Sequence, residues 1–112
     1  MTMHHAPERT RLRRAFRAIR DAGGMTHTGA CCPNCSLNAF HERGADTDTT
    51  IAIQYAEDVA EAFKRGRMVA PLHIYHAGNS RLVCQALEAE GLRVEWTGND
   101  EDAMAVLPDW RH

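Results

Sequence analysis

The chain has 112 residues, room for one hydrophobic core and not comfortably for two. Apolar residues at 44% and charged residues at 25% exclude wholesale disorder. No apolar run approaches the ~20 residues of a membrane helix. Net charge is −2, yet residues 1–20 hold six arginines against Glu8, a local +5, and the remainder carries −7.

Leu12, Ala15, Phe16, Ile19 and Ala22 recur at the spacing of one buried helical stripe, and Gly23-Gly24 ends it. The arginines fill its other faces. Such a basic segment reads first as a solvated helix face and second as a nucleic-acid arm through Arg9, Arg13, Arg14, Arg17 and Arg20. With no aromatic interleaving beyond Phe16, nucleic acid ranks last among the functional readings. Met25–Gly29 predicts a short strand, Ser36–Arg43 a short helix stopped by Gly44, and Thr50–Tyr55 a strand rich in β-branched and aromatic residues. Glu57–Arg65 predicts a helix with Val59, Ala60 and Phe63 inward, closed by Gly66. Leu72–Tyr75 predicts a buried strand. Asn79 or Ser80 then caps a helix whose apolar side is Leu82, Val83, Ala86 and Leu87, with Cys84 beside them. Leu92–Trp96 and Ala103–Leu107 predict strands, the last pair a hairpin at the sheet edge.

Helices alternating with strands predict an α/β fold: a single domain over residues 1–112, with residues 1–7 disordered, built on a small mixed, mostly parallel sheet packed with about four helices. The start, Met1-Thr2-Met3-His4-His5, lacks the apolar stretch of a secretory signal, which predicts a reducing, cytoplasmic setting.

Three of the four cysteines, Cys31, Cys32 and Cys35, fall within five residues. In a reducing compartment such a cluster points to metal or redox chemistry before a structural disulfide. Thiolates at i and i+3 on a tight turn can face one zinc ion about 2.3 Å away, and Cys32-Pro33-Asn34-Cys35 is similar to the knuckle of zinc ribbons. Cys31 is a third ligand if the backbone turns sharply there. His27 and His41 are the nearby residues to complete the site; Cys84, His73 and His76 are distant in sequence. The same tetrad is similar to the glutaredoxin-type motif. There a helix N-terminus activates the first thiol, Cys32, and Cys35 resolves the mixed disulfide. Pro71, before a strand, is similar to the proline facing that motif in thioredoxin-like folds. The third reading makes the sulfurs small buried hydrophobes.

The sequence leads with structural zinc, held by Cys31, Cys32, Cys35 and His27 or His41, in a domain of open biological role and no defined catalytic constellation. Thiol–disulfide exchange at Cys32/Cys35 follows. Gly78-Asn79-Ser80-Arg81 reads as simple capping rather than an anion cradle. His73 and His76 point to opposite faces of a regular strand. A homodimer is open, through the arginine helix or a sheet edge.

Five segments carry a resemblance: Cys31-Cys32-Pro33-Asn34-Cys35, Tyr55-Ala56-Glu57-Asp58-Val59-Ala60-Glu61, Tyr75-His76-Ala77-Gly78, Val94-Glu95-Trp96 and Asp109-Trp110-Arg111. In these the chain resembles a family of actinobacterial domains of unknown function marked by a Cys-Cys-x-x-Cys turn. The resemblance covers most of the chain after the first helix and implies no activity. Pro33 and Ser36 depart from the family's commoner pattern, in which Gly often follows the last cysteine.

Overall fold

Burial of one stripe makes the first helix. In the computed structural model, which describes residues 6–30 and 33–108, α1 spans Glu8–Asp21 and sinks Leu12, Ala15, Phe16 and Ile19 into the core. Side chains of this size each stabilise the fold by about 1.5–3 kcal/mol when fully buried, Ala15 by less. The helix ends in a Schellman motif: Gly23, at φ 96°, donates to the Arg20 carbonyl and Gly24 to that of Ile19. Ala22 lies past the helix end and is exposed. Arg11 corrects the expectation that every arginine sits on a solvated face. It is 4% exposed, and its guanidinium donates to the carbonyls of Ala6 (2.8 Å) and Gly91 (3.1 Å), stitching α1 to the end of a later helix.

The remaining elements are β1 (Met25–Ala30), α2 (Pro33–Glu42), β2 (Ile51–Tyr55), α3 (Ala56–Ala62), β3 (Phe63–Lys64), β4 (Arg67–Met68), β5 (Leu72–Ala77), α4 (Ser80–Ala89), β6 (Arg93–Glu95) and β7 (Met104–Leu107). The main sheet has the order β1-β2-β5-β7-β6. Only β1 and β2 pair in parallel; β2–β5, β5–β7 and β7–β6 are antiparallel. The fold is α/β with four helices and a mixed sheet as expected, but the sheet is mostly antiparallel, not mostly parallel. Two physical causes account for this. α3 has seven residues, about 10 Å of rise, too short to carry the chain back along the sheet. β5 therefore starts at the end where β2 stops. Then α4 returns the chain so that β6 runs in the direction of β5, but β7 slots between them and makes both ladders antiparallel.

A second correction concerns residues 63–68. Phe63 continues the apolar spacing of α3 but belongs to a hairpin, with Phe63 opposite Met68 and Lys64 opposite Arg67. Its two loop residues, Arg65 (φ 55°) and Gly66 (φ 79°), both have the positive φ of a type I′ turn. Gly66 is thus a turn residue and not a helix stop, and Ala60 is exposed where Ala62 is buried.

The main core lies between one sheet face and α1 with α4, joining Ala52, Leu72, Ile74, Met104 and Val106 to Phe16, Val83 and Leu87. α2 covers the opposite face over β1 and β2 only, where Phe40 meets Ala30, Ile51 and Ile53. β2 is consequently buried on both faces. On β5, beyond the reach of α2, His73, Tyr75 and Ala77 are exposed.

Candidate metal and thiol site

The βαβ unit β1-α2-β2 sets the geometry of the cysteine turn. The chain leaves β1 at Ala30 and enters α2 at Pro33, whose fixed φ and missing N–H suit the first helical position. Cys35 lies in the first turn of α2 and is exposed. Cys31 and Cys32 lie outside the described residues.

α2 is held to the sheet by a narrow stripe. Ser36 is fully buried, as is Phe40 one turn on. Ser36 Oγ lies 3.1 Å from His27 Nδ1 on β1, and the His27 ring meets Phe40 edge-on at 6.2 Å between centroids. The residue beside Cys35 is therefore fastened to the histidine that the sequence nominates as a ligand. That contact engages Nδ1, and among the described residues no partner reaches Nε2 of His27.

His41 does not join this end. Six residues beyond Cys35, it stands about 9 Å further along the helix axis. It lines an open groove of about 340 Å³ with Leu37, Asn38, Ala45, Asp46 and Ile51 instead. Leu37 is 56% exposed there, one turn before His41. Asp46 is already occupied, its Oδ1 accepting from the Asp48 amide and the Thr49 hydroxyl.

At the end of β2, the Tyr55 ring lies 4.8 Å from that of Tyr75 on β5, tilted by 58°. His73 is exposed on the same side of β5 as Tyr75. Pro71 precedes β5, which β2 separates from β1, so it does not directly neighbour the strand leading into the cysteine turn.

The family model for DUF6891, a domain of unknown function, matches residues 4–112, nearly the whole chain. The chain belongs to that family. No curated protein and no solved structure matches it.

Elsewhere in this DUF6891 domain a second histidine cluster was not foreseen. His76 points inward, opposite to His73, and is half-buried. Its Nε2 lies 2.6 Å from the Asp102 carbonyl, which accepts, and its Nδ1 shares a hydrogen bond of 2.6 Å with the Ser80 hydroxyl. Trp96 meets the ring edge-on at 5.4 Å. The cluster clasps the end of β5, the first residue of α4 and the 97–102 turn together. It is not a nucleophile–base pair open to substrate, since Ser80 is only 3% exposed. The sequence signal was the i, i+4 spacing of His76 and Ser80 across a strand end and a helix start. Asn79 provides the α4 cap, its Oδ1 accepting from the Leu82 amide at 3.2 Å.

Cys84 packs partly against the main core; burial, and then the Glu88 carboxylate, push its thiol above the ordinary value. That is the setting of an inert structural cysteine. On α1, Arg20 donates to Thr26 Oγ1 at 2.8 Å and Arg9 stacks 5.7 Å over the Phe63 ring, while Arg13, Arg14 and Arg17 are exposed. No helix among the described residues is long and apolar enough to cross a membrane.

Proposed function

We propose that this domain is a small metal-binding module of the cytoplasm in which Cys31, Cys32, Cys35 and His27 hold zinc in a structural role. The hydrogen bond between His27 and Ser36 carries the reading. A zinc-bound histidine commonly ligates through one nitrogen and donates the other N–H to an oxygen, which fixes its tautomer. Here Nδ1–H would donate to Ser36 Oγ, and Nε2 is the nitrogen left for the metal. Three thiolates and one imidazole form a closed four-ligand set of the structural kind. His41 has no part in it.

The metal would act chiefly on α2, which Ser36 and Phe40 alone bury against the sheet among its described side chains. Chelation is expected to free α2 while the α1/α4 core persists, so hydrogen exchange should rise first in residues 33–42. The runner-up, dithiol exchange between Cys32 and Cys35, draws support from α2 beginning inside the motif, because a helix N-terminus favours thiolate.

Native mass spectrometry of the freshly purified chain, before and after chelator and reductant, separates these readings. One zinc per chain, lost to chelator, is the expected result. A mass short by two hydrogens and restored by reductant replaces zinc with redox chemistry. Apo, fully reduced protein under every condition defeats both.

A further inference from the structure

The hairpin of residues 63–68 extends the basic flank of α1. Arg9, Arg13, Arg17 and Arg20 succeed one another at intervals of four, four and three residues, which places them along one side of the helix. This is the side away from Arg11, which reaches Gly91 near α4. The hairpin abuts it: Phe63 receives the Arg9 guanidinium on its ring and, with Met68, turns inward. Lys64, Arg65 and Arg67 are left exposed. Seven of the thirteen basic residues of a chain with net charge −2 thus share one surface. All seven are exposed, and no carboxylate of a described residue binds any of them.

Two features of the hairpin work against its stability. Lys64 and Arg67 are like charges directly opposite each other, a destabilising cross-strand pair. Arg65 holds φ 55° at a turn position that Asn, Asp or Gly fills with less strain. Both place positive charge where local structure disfavours it. Of the acids nearest in sequence, Glu8 and Asp21 adjoin Arg9 and Arg20 on α1, and Glu57, Asp58 and Glu61 sit on α3; none of them forms an ion pair with any of the seven cations.

We infer that this flank binds the phosphate backbone of nucleic acid without reading its sequence. Six of the seven cations are arginines, whose planar guanidinium grips phosphate in a bidentate fashion. From Arg9 to Arg20 the array runs about 16 Å, the length of roughly five base pairs of duplex. A membrane surface fits less well, since an interfacial helix needs an apolar face to insert and that of α1 is buried in the core. Among the described residues, Val69 is the one large apolar side chain exposed beside the hairpin.

The test is fluorescence anisotropy of a labelled 20-base-pair duplex of arbitrary sequence, titrated with the full chain at 50, 100 and 200 mM KCl. With four to five phosphates neutralised, affinity should fall about 150- to 500-fold from 50 to 200 mM. Arg13→Gln with Arg17→Gln, and Lys64→Gln with Arg67→Gln, should each weaken binding at least tenfold at 100 mM and lower the salt slope by about 2, with circular dichroism unchanged. Arg43→Gln, whose guanidinium stacks on Phe40 of α2, should bind as the parent does. Absence of saturable binding at 50 mM, a flat salt dependence, parental affinity in both double variants, or binding to phosphatidylserine vesicles in place of the duplex would each overturn the inference. None of these outcomes depends on the metal content of the cysteine turn.

Discussion

Replacing Gly78 by alanine isolates how β2, β5 and α4 are locked together. Gly78 has φ +74°, a conformation costing an L-residue about 1–2 kcal/mol. A Cβ there would also overlap the Thr49 carbonyl oxygen and lie 2.7 Å from Thr50 Cα, which are backbone atoms with no rotamer to yield. The strand end must move apart, at the expense of the Asn79 amide bond to Thr50 Oγ1 and the Ile51–Ala77 pairing, at about 1 kcal/mol each. The expected loss is about 3–4 kcal/mol, a fall in Tm of roughly 12–17 °C for a domain of this size. Gly98→Ala is the control, because Gly98 has φ +90° with nothing within 4 Å of the added Cβ, and the conformational cost alone is expected, about 1–2 kcal/mol. Urea unfolding followed by circular dichroism measures both. Equal losses in the two variants would refute the close-approach argument and leave only the φ effect.

Phe16→Ala, at a fully buried site, should cost about 3–5 kcal/mol in the same assay. Arg11→Met keeps most of the buried stem but leaves the Ala6 and Gly91 carbonyls without their donor, so a loss of about 1–3 kcal/mol is expected by urea unfolding. Cys84, its thiol raised by burial and by Glu88, holds less thiolate than an ordinary cysteine at neutral pH. Iodoacetamide should therefore label it more slowly than exposed Cys35 in chelator-treated protein at pH 7.5, as read by peptide mass mapping. Its rate should climb with pH, and Glu88→Gln should speed it.

What the sequence made legible follows from which signals are local. The stripe Leu12, Ala15, Phe16, Ile19 and the cap at Asn79 are decided within a few residues, and the structure places both as expected. Arg11 was misread because its burial depends on a carbonyl eighty residues away. Phe63 was misread because it keeps the helical spacing of α3, while Arg65-Gly66 lacks the Asn-Gly or Asp-Gly of a familiar hairpin turn. Strand direction could not be read from helix–strand alternation, since it hinged on the shortness of α3 and the insertion of β7 between β5 and β6. At the site, the clustering of the cysteines was visible in sequence. Ser36 as the partner of His27, and the displacement of His41 to the far end of α2, needed the helix laid back over β1.

Cobalt substitution reads the proposed ligand set most directly. Adding Co(II) to the chelator-treated, reduced chain should produce thiolate-to-cobalt charge-transfer bands and the d–d absorption of tetrahedral cobalt, saturating at one equivalent. Both should weaken in Cys35→Ser, and His27→Gln should shift the d–d bands. A spectrum that stays that of hexaaqua cobalt, or one that Cys35→Ser leaves unchanged, would contradict a metal centre at the cysteine turn.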